Sequence, residues 1–240
     1  MIALIRGEAI KLRSTRTAVG FTLAAIALLL LTVIASSLGG EPTTVAEKRE
    51  ALSIGGPISF VLILFGIVGA TGEYRHRTVA PAVLIAPDRV RLLLARTLAY
   101  AATGIGVGLL MIVVGMAVGV PLLAGTDGPG LETSDYLRVV GGGLLTCGLG
   151  AALGIGVGAL IGNQVAGVVG TLVFFFVVEP LAGLALDDLP KYTISQSSAA
   201  TGGADVDPSF PFLGALAVLA AWTAILLLFG VLRERSREVT

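Results

Sequence analysis

Long apolar runs recur along this 240-residue chain, and they decide what it can fold into. A helix needs about 20 consecutive apolar residues to cross a bilayer core of about 30 Å. Only 13% of the residues are charged, against about 25% in a typical soluble domain. We therefore predict an all-α polytopic membrane protein with six transmembrane helices. Their predicted spans lie near residues 18–38, 52–72, 92–120, 139–161, 165–186 and 212–232.

The segments between these runs are short and polar. None is long enough or apolar enough to build a hydrophobic core of its own. The sequence therefore predicts a single transmembrane domain over residues 1–240, with no separate soluble module.

Basic residues are concentrated in three regions, and the loops between these regions carry an excess of acids. The basic regions precede the first run, surround the connection between the second and third runs, and close the chain. Their residues are Arg6, Lys11, Arg13, Arg16, Arg75, Arg77, Arg89, Arg91, Arg96, Arg233, Arg235 and Arg237. Because cytoplasmic loops are enriched in Lys and Arg, we expect both termini on the cytoplasmic side.

The first apolar run could also be interpreted as a secretory signal, since it follows a basic start and ends near Ala35-Ser36-Ser37. The apolar region of a secretory signal has about 7 to 15 residues. The run at 18–38 is long enough to span a bilayer, which favours a retained helix.

Residues 1–17 combine apolar residues with the basic residues Arg6, Lys11, Arg13 and Arg16. The apolar residues recur at steps of three and four, as in an amphipathic helix that lies on a membrane surface. A plain basic flank is the alternative. The spacing favours a short interfacial helix in contact with lipid.

A polar segment separates the second and third runs, and it contains the only histidine of the chain. Two interpretations stand: a basic loop that only sets the topology, or a contact site for a cytoplasmic partner. The residues concerned are Arg75, His76 and Arg77.

Glycines at four-residue steps mark the fourth run, at Gly150, Gly154, Gly158 and Gly162. Small residues at this spacing let two helix backbones approach closely within a membrane. We expect this row to pack within the bundle rather than to form a dimer seam.

Glu179 is an acidic residue inside an apolar run, and Pro180 follows it directly. An ionisable residue in such a position is a functional candidate, here for a translocation path. Because proline removes a backbone donor, the fifth helix could break here and continue as a shallow segment. Alternatively, Glu179 marks the outer end of a shorter span.

Sequence patterns for ATP hydrolysis and metal binding are absent. None of the three lysines follows a glycine, as a phosphate-binding loop requires. One histidine and one cysteine, far apart in sequence, do not make a metal site. We expect no catalytic residue, no bound metal or cofactor, and no nucleic-acid partner.

Several segments resemble the permeases of type 2 ABC exporters (ABC-2), and the resemblance extends over essentially the whole chain. The main motif follows the second run, and supporting motifs lie at 8–16, 178–180 and in Trp222 before the basic tail. The main motif reads Gly72-Glu73-Tyr74-Arg75-His76-Arg77-Thr78, then Leu84-Ile85-Ala86-Pro87-Asp88-Arg89, then Leu94-Ala95-Arg96. Arg77 stands where the family has glycine.

The resemblance implies a permease that pairs with a second copy or a homologous permease in a bacterial-type cytoplasmic membrane. Two separate ABC ATP-binding subunits, which hold the ATP and Mg²⁺, would dock on the cytoplasmic side. The polar segment would then be a coupling helix between the second and third spans. Its candidate coupling residues are Glu73, Arg75, His76, Arg77, Thr78, Pro87 and Arg89.

The implied function is ATP-driven export of an amphipathic substrate such as a drug, antibiotic, peptide or lipid. Two alternatives stay open. One is a secondary transporter driven by an ion gradient, and the other is a structural or regulatory membrane subunit that transports nothing.

Overall fold

The computed structural model describes residues 2–39, 42–75, 89–185, 189–206 and 210–236, and these residues form helices with short connections. The helices are α1 Ile2–Ser14, α2 Arg16–Gly39, α3 Val45–Leu52, α4 Pro57–Arg75, α5 Arg89–Ala124, α6 Thr133–Ile161, α7 Gln164–Val173, α8 Glu179–Ala185, α9 Ile194–Thr201 and α10 Phe212–Ser236. A π-helical turn, Phe174–Val178, joins α7 to α8, and a 3-10 turn, Pro190–Tyr192, precedes α9.

Among the described residues, five stretches of helix are long and apolar enough to cross a membrane, as predicted for five of the six runs. The run at 52–72 corresponds instead to a shorter apolar helix, Ile58–Gly72, within α4. The fold is therefore that of an all-helical polytopic membrane protein, while the sixth span and the side on which the termini lie stay predictions. The five long stretches are Arg16–Ser36, Val90–Ala124, Thr133–Ile161, Gln164–Ala185 and Phe212–Ser236.

The start of α4 differs from the predicted run at 52–72, which begins too early. The helix starts at Pro57, whose fixed φ suits a first helical turn and whose missing N–H is not needed there. Gly56 precedes it with φ of 50°, a backbone conformation that residues with a Cβ atom rarely adopt. A turn thus separates α4 from α3.

Helix α3 was not predicted, because it is short and polar. It begins with a capping box, in which the Thr44 side chain accepts from the backbone N–H of Glu47 and the Glu47 carboxylate accepts from that of Thr44. This reciprocal pair satisfies two of the free donors at the helix start. The helix carries buried Lys48 and Arg49 on one side.

Helix α6 lies at the centre of the bundle and packs against α4, α5 and α10. Gly150, Gly154 and Gly158 face α4, and a Cβ atom added to Gly154 would lie only 2.9 Å from the Cα atom of Gly66. Gly162 ends the helix with φ of 69°. The predicted glycine row therefore packs within the bundle.

The other faces of α6 make equally close backbone contacts. A Cβ atom on Gly156 would lie 2.8 Å from the backbone of Leu226 in α10. On the α5 side, a Cβ atom on Gly104 would lie 2.5 Å from the carbonyl oxygen of Cys147. Close packing of this kind replaces the hydrophobic drive that is missing between helices in lipid.

We expect Gly154→Ala to lower the thermal stability of the protein, because the new methyl group would overlap the α4 backbone. Overpacking of this kind costs about 1–3 kcal/mol. Gly106→Ala is the matched control, since a Cβ atom on Gly106 meets nothing within 4 Å. The unfolding temperatures of both variants in detergent micelles measure the difference. Equal values for the two variants would contradict the packing described above.

Candidate functional site

Buried charges lie at both ends of the bundle. At one end, which we call the α1 end, α1 packs against the start of α5, near the last turns of α4. At the other, the α3 end, α3 meets the first turn of α6 and the loop after α9. Glu8 and Arg96 are buried at the first end, and Lys48, Arg49 and Asp135 at the second.

At the α1 end, the charge of Glu8 attaches α1 to the bundle. One carboxylate oxygen accepts a hydrogen bond from Lys11 at 2.8 Å, and the other lies 3.6 Å from Nε of Arg96 in α5. Arg96 also donates to the carbonyl oxygen of Ala70 in α4, at 3.4 Å. One buried pair thus connects α1, α4 and α5.

Helix α1 forms where the interfacial helix is predicted, with Arg6 and Lys11 exposed, while its place at a membrane surface stays a prediction. Arg13 lies in the last turn of α1, and Arg16 begins α2 and is exposed. The helix packs on α5, with Leu12 buried and Ile10 59% exposed. It therefore has one face on the protein and one apolar patch available to lipid.

The candidate coupling residues are only partly within the described ranges. Glu73 and Arg75 lie in the last turn of α4, and Arg89 begins α5. Since α4 and α5 are hydrogen-bonded through Ala70 and Arg96, Arg75 and Arg89 lie toward the α1 end. The other candidates lie outside the described residues, namely His76, Arg77, Thr78 and Pro87.

Glu179 is buried, and its carboxylate holds the first turn of α9. It accepts hydrogen bonds from the backbone N–H of Ile194 at 2.8 Å, from that of Ser195 at 3.4 Å, and from the Ser195 hydroxyl. These N–H groups have no partner within the helix, and a negative charge there also complements the helix dipole. Its role in a translocation path stays a prediction.

The helix of the fifth run does not break at Glu179, in contrast to the first predicted alternative. Where its span ends in a membrane stays a prediction. The π-helical turn Phe174–Val178 comes directly before Glu179, and the helix continues through Pro180 to Ala185. A proline ring clashes with the carbonyl group four residues earlier in a regular α-helix. The wider π-helical turn lies where that clash would occur.

Helix α9 is also attached to its other neighbours. Its Ser198 hydroxyl accepts from that of Ser59 in α4 at 2.9 Å, and the Gly202 carbonyl oxygen accepts from the N–H of Ile54 at 3.2 Å. Trp222 of α10 donates to the carbonyl oxygen of Tyr192, just before the helix, at 2.9 Å. The helix thus bridges α4, α8 and α10 at the α3 end.

Glu179→Ala is expected to loosen the first turn of α9, because two backbone N–H groups lose their acceptor. Amide hydrogen exchange of a peptide covering Ile194 and Ser195 should accelerate. Glu179→Gln, which keeps one acceptor oxygen, should have a smaller effect. Unchanged exchange in Glu179→Ala would show that the carboxylate does not hold this turn.

A second buried charge network joins α3, α6 and the loop after α9. Arg49 donates through Nε to the carbonyl oxygen of Gly203 at 3.1 Å and through Nη1 to Asp135 at 2.9 Å. Its Nη2 pairs with Asp205, which also pairs with Arg138 at 3.2 Å. Three donor groups of one guanidinium therefore bind three separate acceptors.

Both carboxylate oxygens of Asp135 have donors. One accepts from Arg49, and the other accepts from the backbone N–H of Glu132 at 3.0 Å, where α6 begins. The bond orients the start of α6 toward α3. A buried charge that is fully hydrogen-bonded in this way fixes the geometry of the elements that carry it.

From the sequence, Arg49, Arg138 and Asp205 lie in loops between the predicted spans, and no site was predicted from them. Arg49 and Asp135 are 86 residues apart, so no spacing motif could connect them. One signal was present: Arg49 and Arg138 are basic residues in loops that carry an excess of acids. Basic residues on the predicted outer side depart from the usual distribution, and here each has an acidic partner.

We expect Arg49→Met to destabilise the protein strongly, because Asp135 would be left buried without its cation. Removing one partner of a buried pair costs about 3–5 kcal/mol. The neighbouring variant Lys48→Met is the control, since Lys48 makes a 3.4 Å contact with the carbonyl oxygen of Thr126. A fall in unfolding temperature no larger for Arg49→Met than for Lys48→Met would contradict the role of this network.

No protein-family model matches the chain, and no curated protein sequence matches it significantly. Membership of the type 2 exporter family is therefore a hypothesis that rests on the motifs at 72–78, 84–89 and 94–96.

Proposed function

We propose that this protein is the transmembrane permease subunit of an ATP-driven ABC exporter. The observation that carries the proposal is the bonded junction of α1, α4 and α5 through Glu8, Arg96 and Ala70. Arg75 and Arg89, which flank the segment 76–88, lie within about two helical turns of this junction. In the family that the sequence resembles, ATP-binding subunits dock at the corresponding segment.

The junction is placed so that a displacement would be transmitted to several helices. Arg96 lies two turns into α5, and Ala70 lies in the turn of α4 before Arg75. A displacement of segment 76–88 therefore acts on α4 and α5 together and, through Glu8, on α1. Helix α2 follows α1 after Thr15 alone, so the displacement also reaches the first span.

The basic residues within and beside this segment suit a protein partner on the cytoplasmic side. Arg75, His76, Arg77 and Arg89 offer donors to carboxylate or carbonyl groups, and bonds of this kind to a charged group are among the stronger ones at an interface. By the positive-inside rule, these basic residues also favour a cytoplasmic location for the connection between the two apolar runs.

A transporter driven by an ion gradient is the second candidate, and buried Glu179 is the observation that favours it. Such proteins use ionisable residues near the bilayer midplane as ion sites. The Glu179 carboxylate, however, already accepts hydrogen bonds from Ile194 and Ser195, and these bonds hold α9 in place. This occupied position supports a structural role, and the exporter subunit remains our proposal.

We expect the double charge reversal Arg75→Glu and Arg77→Glu to abolish stimulation of the partner ATPase, because acidic groups on that partner would be repelled. The test measures vanadate-sensitive ATP hydrolysis by the complex of this chain with its ATP-binding subunits in nanodiscs. Membrane insertion should be unchanged.

The matched control is the reversal of Arg233 and Arg235, two exposed arginines in the last turns of α10. They lie at the same predicted side of the membrane and change the net charge equally. ATPase stimulation should survive in this control. Stimulation that also survives the reversal at Arg75 and Arg77 would contradict the coupling role.

A further inference from the structure

A cavity of about 530 Å³ opens at the α3 end, between α2, α3, the start of α4 and α9. Its walls combine carboxylates and hydroxyl groups with small apolar side chains. The residues that matter here are Thr32, Ser36, Glu47, Glu50, Ile58 and Ala199. Pockets that bind drug-sized molecules have volumes of about 300–1,000 Å³.

Helix α3 turns its acidic residues toward this cavity and its basic residues away from it. Glu47 and Glu50 line the cavity. Lys48 donates to the carbonyl oxygen of Thr126, and Arg49 is bound within the network at Asp135. The two negative charges in the wall are therefore not neutralised by the neighbouring cations of their own helix.

The two carboxylates are available to a ligand in different ways. The Glu50 carboxylate makes no hydrogen bond or ion pair with the part of the chain that the structure describes. Glu47 accepts from the backbone N–H groups of Thr43 at 2.8 Å and Thr44 at 3.2 Å through one oxygen. These bonds hold the pKa of Glu47 below its usual value, so it stays charged at neutral pH.

The hydroxyl groups in the cavity wall also favour a ligand that donates hydrogen bonds. Thr32 gives its hydrogen to the carbonyl oxygen of Leu29, and Ser36 gives its hydrogen to that of Thr32, each at 2.8 Å. Their oxygens are left with lone pairs, which accept hydrogen bonds. Ile58 and Ala199 supply apolar surface on the wall formed by α4 and α9.

We infer that this cavity binds an organic ammonium cation that carries an apolar body. The ammonium group bonds to Glu50 and Glu47 and to the hydroxyl oxygens, while the apolar body lies against Ile58 and Ala199. Binding does not depend on ATP-driven export. That the bound cation is the transported substrate rests on the function proposed above.

Dansylcadaverine is a suitable probe, because it joins a primary ammonium group to an apolar fluorophore. Its dissociation constant is measured by fluorescence with the full chain in phosphatidylcholine nanodiscs. Its N-acetylated form, which has the same body and no charge, should bind about tenfold more weakly, a difference of about 1.4 kcal/mol. Equal affinity of the two probes would overturn the inference.

Two variants locate the site. Glu50→Gln should raise the dissociation constant of dansylcadaverine about threefold, and Glu47→Gln combined with Glu50→Gln about tenfold, as expected for exposed ion pairs. Asp127→Asn removes the same charge from an exposed loop near the α3 end, outside the cavity, and should leave the constant unchanged. Unchanged binding in the folded double variant would overturn the inference.

Further measurements separate the possible outcomes. Glu47 also caps α3, so thermal unfolding reports whether the double variant folds; if it does not, Glu50→Gln alone decides. Weaker probe binding in nanodiscs with phosphatidylethanolamine would identify a lipid ammonium group as the occupant of the same site. Because no ATPase is present, a negative result here leaves the coupling at Arg75 and Arg77 to be judged separately.

Discussion

The close approach of backbones around α6 is the constraint on which the rest of the fold depends. Lipid gives apolar helices no reason to associate with each other, so their attraction comes from contacts at short range. Glycines at Gly154, Gly156 and Gly104 bring the backbones of α4, α10 and α5 against one central helix. Once these three helices are in place, the positions of the two bundle ends are largely determined.

At each end of the bundle, buried charged residues rather than apolar contacts then join the helices. Glu8 and Arg96 join α1 to α5 at one end, while Arg49 joins α3 to α6 and to the loop after α9 at the other. A buried pair contributes little net stability compared with apolar packing, but it has one favourable geometry. The two networks therefore define which helices move together. In an exporter, the first network would receive the displacement from an ATPase.

The sequence predicted the parts of this fold that follow from long apolar runs. Five spans and the helix before them are present close to their predicted positions, because length and hydropathy alone determine such helices in lipid. Helices α3 and α9 were missed, because each has only 8 residues and depends on tertiary contacts for its stability. Pro57 and Gly56 moved the start of α4, a local turn effect that an average over an apolar run does not register.

Candidate functional residues were harder to predict than spans. Glu179 was recognised as unusual, but its partners are the backbone groups of Ile194 and Ser195, which no side-chain pattern reveals. The pairing of Glu8 with the distant side chain of Arg96 was not predicted. Such pairs depend on how the helices cross, and this is set by packing rather than by local sequence.

The composition of the native complex tests the central claim most directly. The tagged chain would be purified from its own membrane in mild detergent and its intact mass measured by native mass spectrometry. An exporter permease should carry two ATP-binding subunits for every pair of permease chains, and the complex should hydrolyse ATP in a vanadate-sensitive manner. A chain that purifies without any ATP-binding subunit, while an ion gradient alone drives transport in vesicles, would contradict the account.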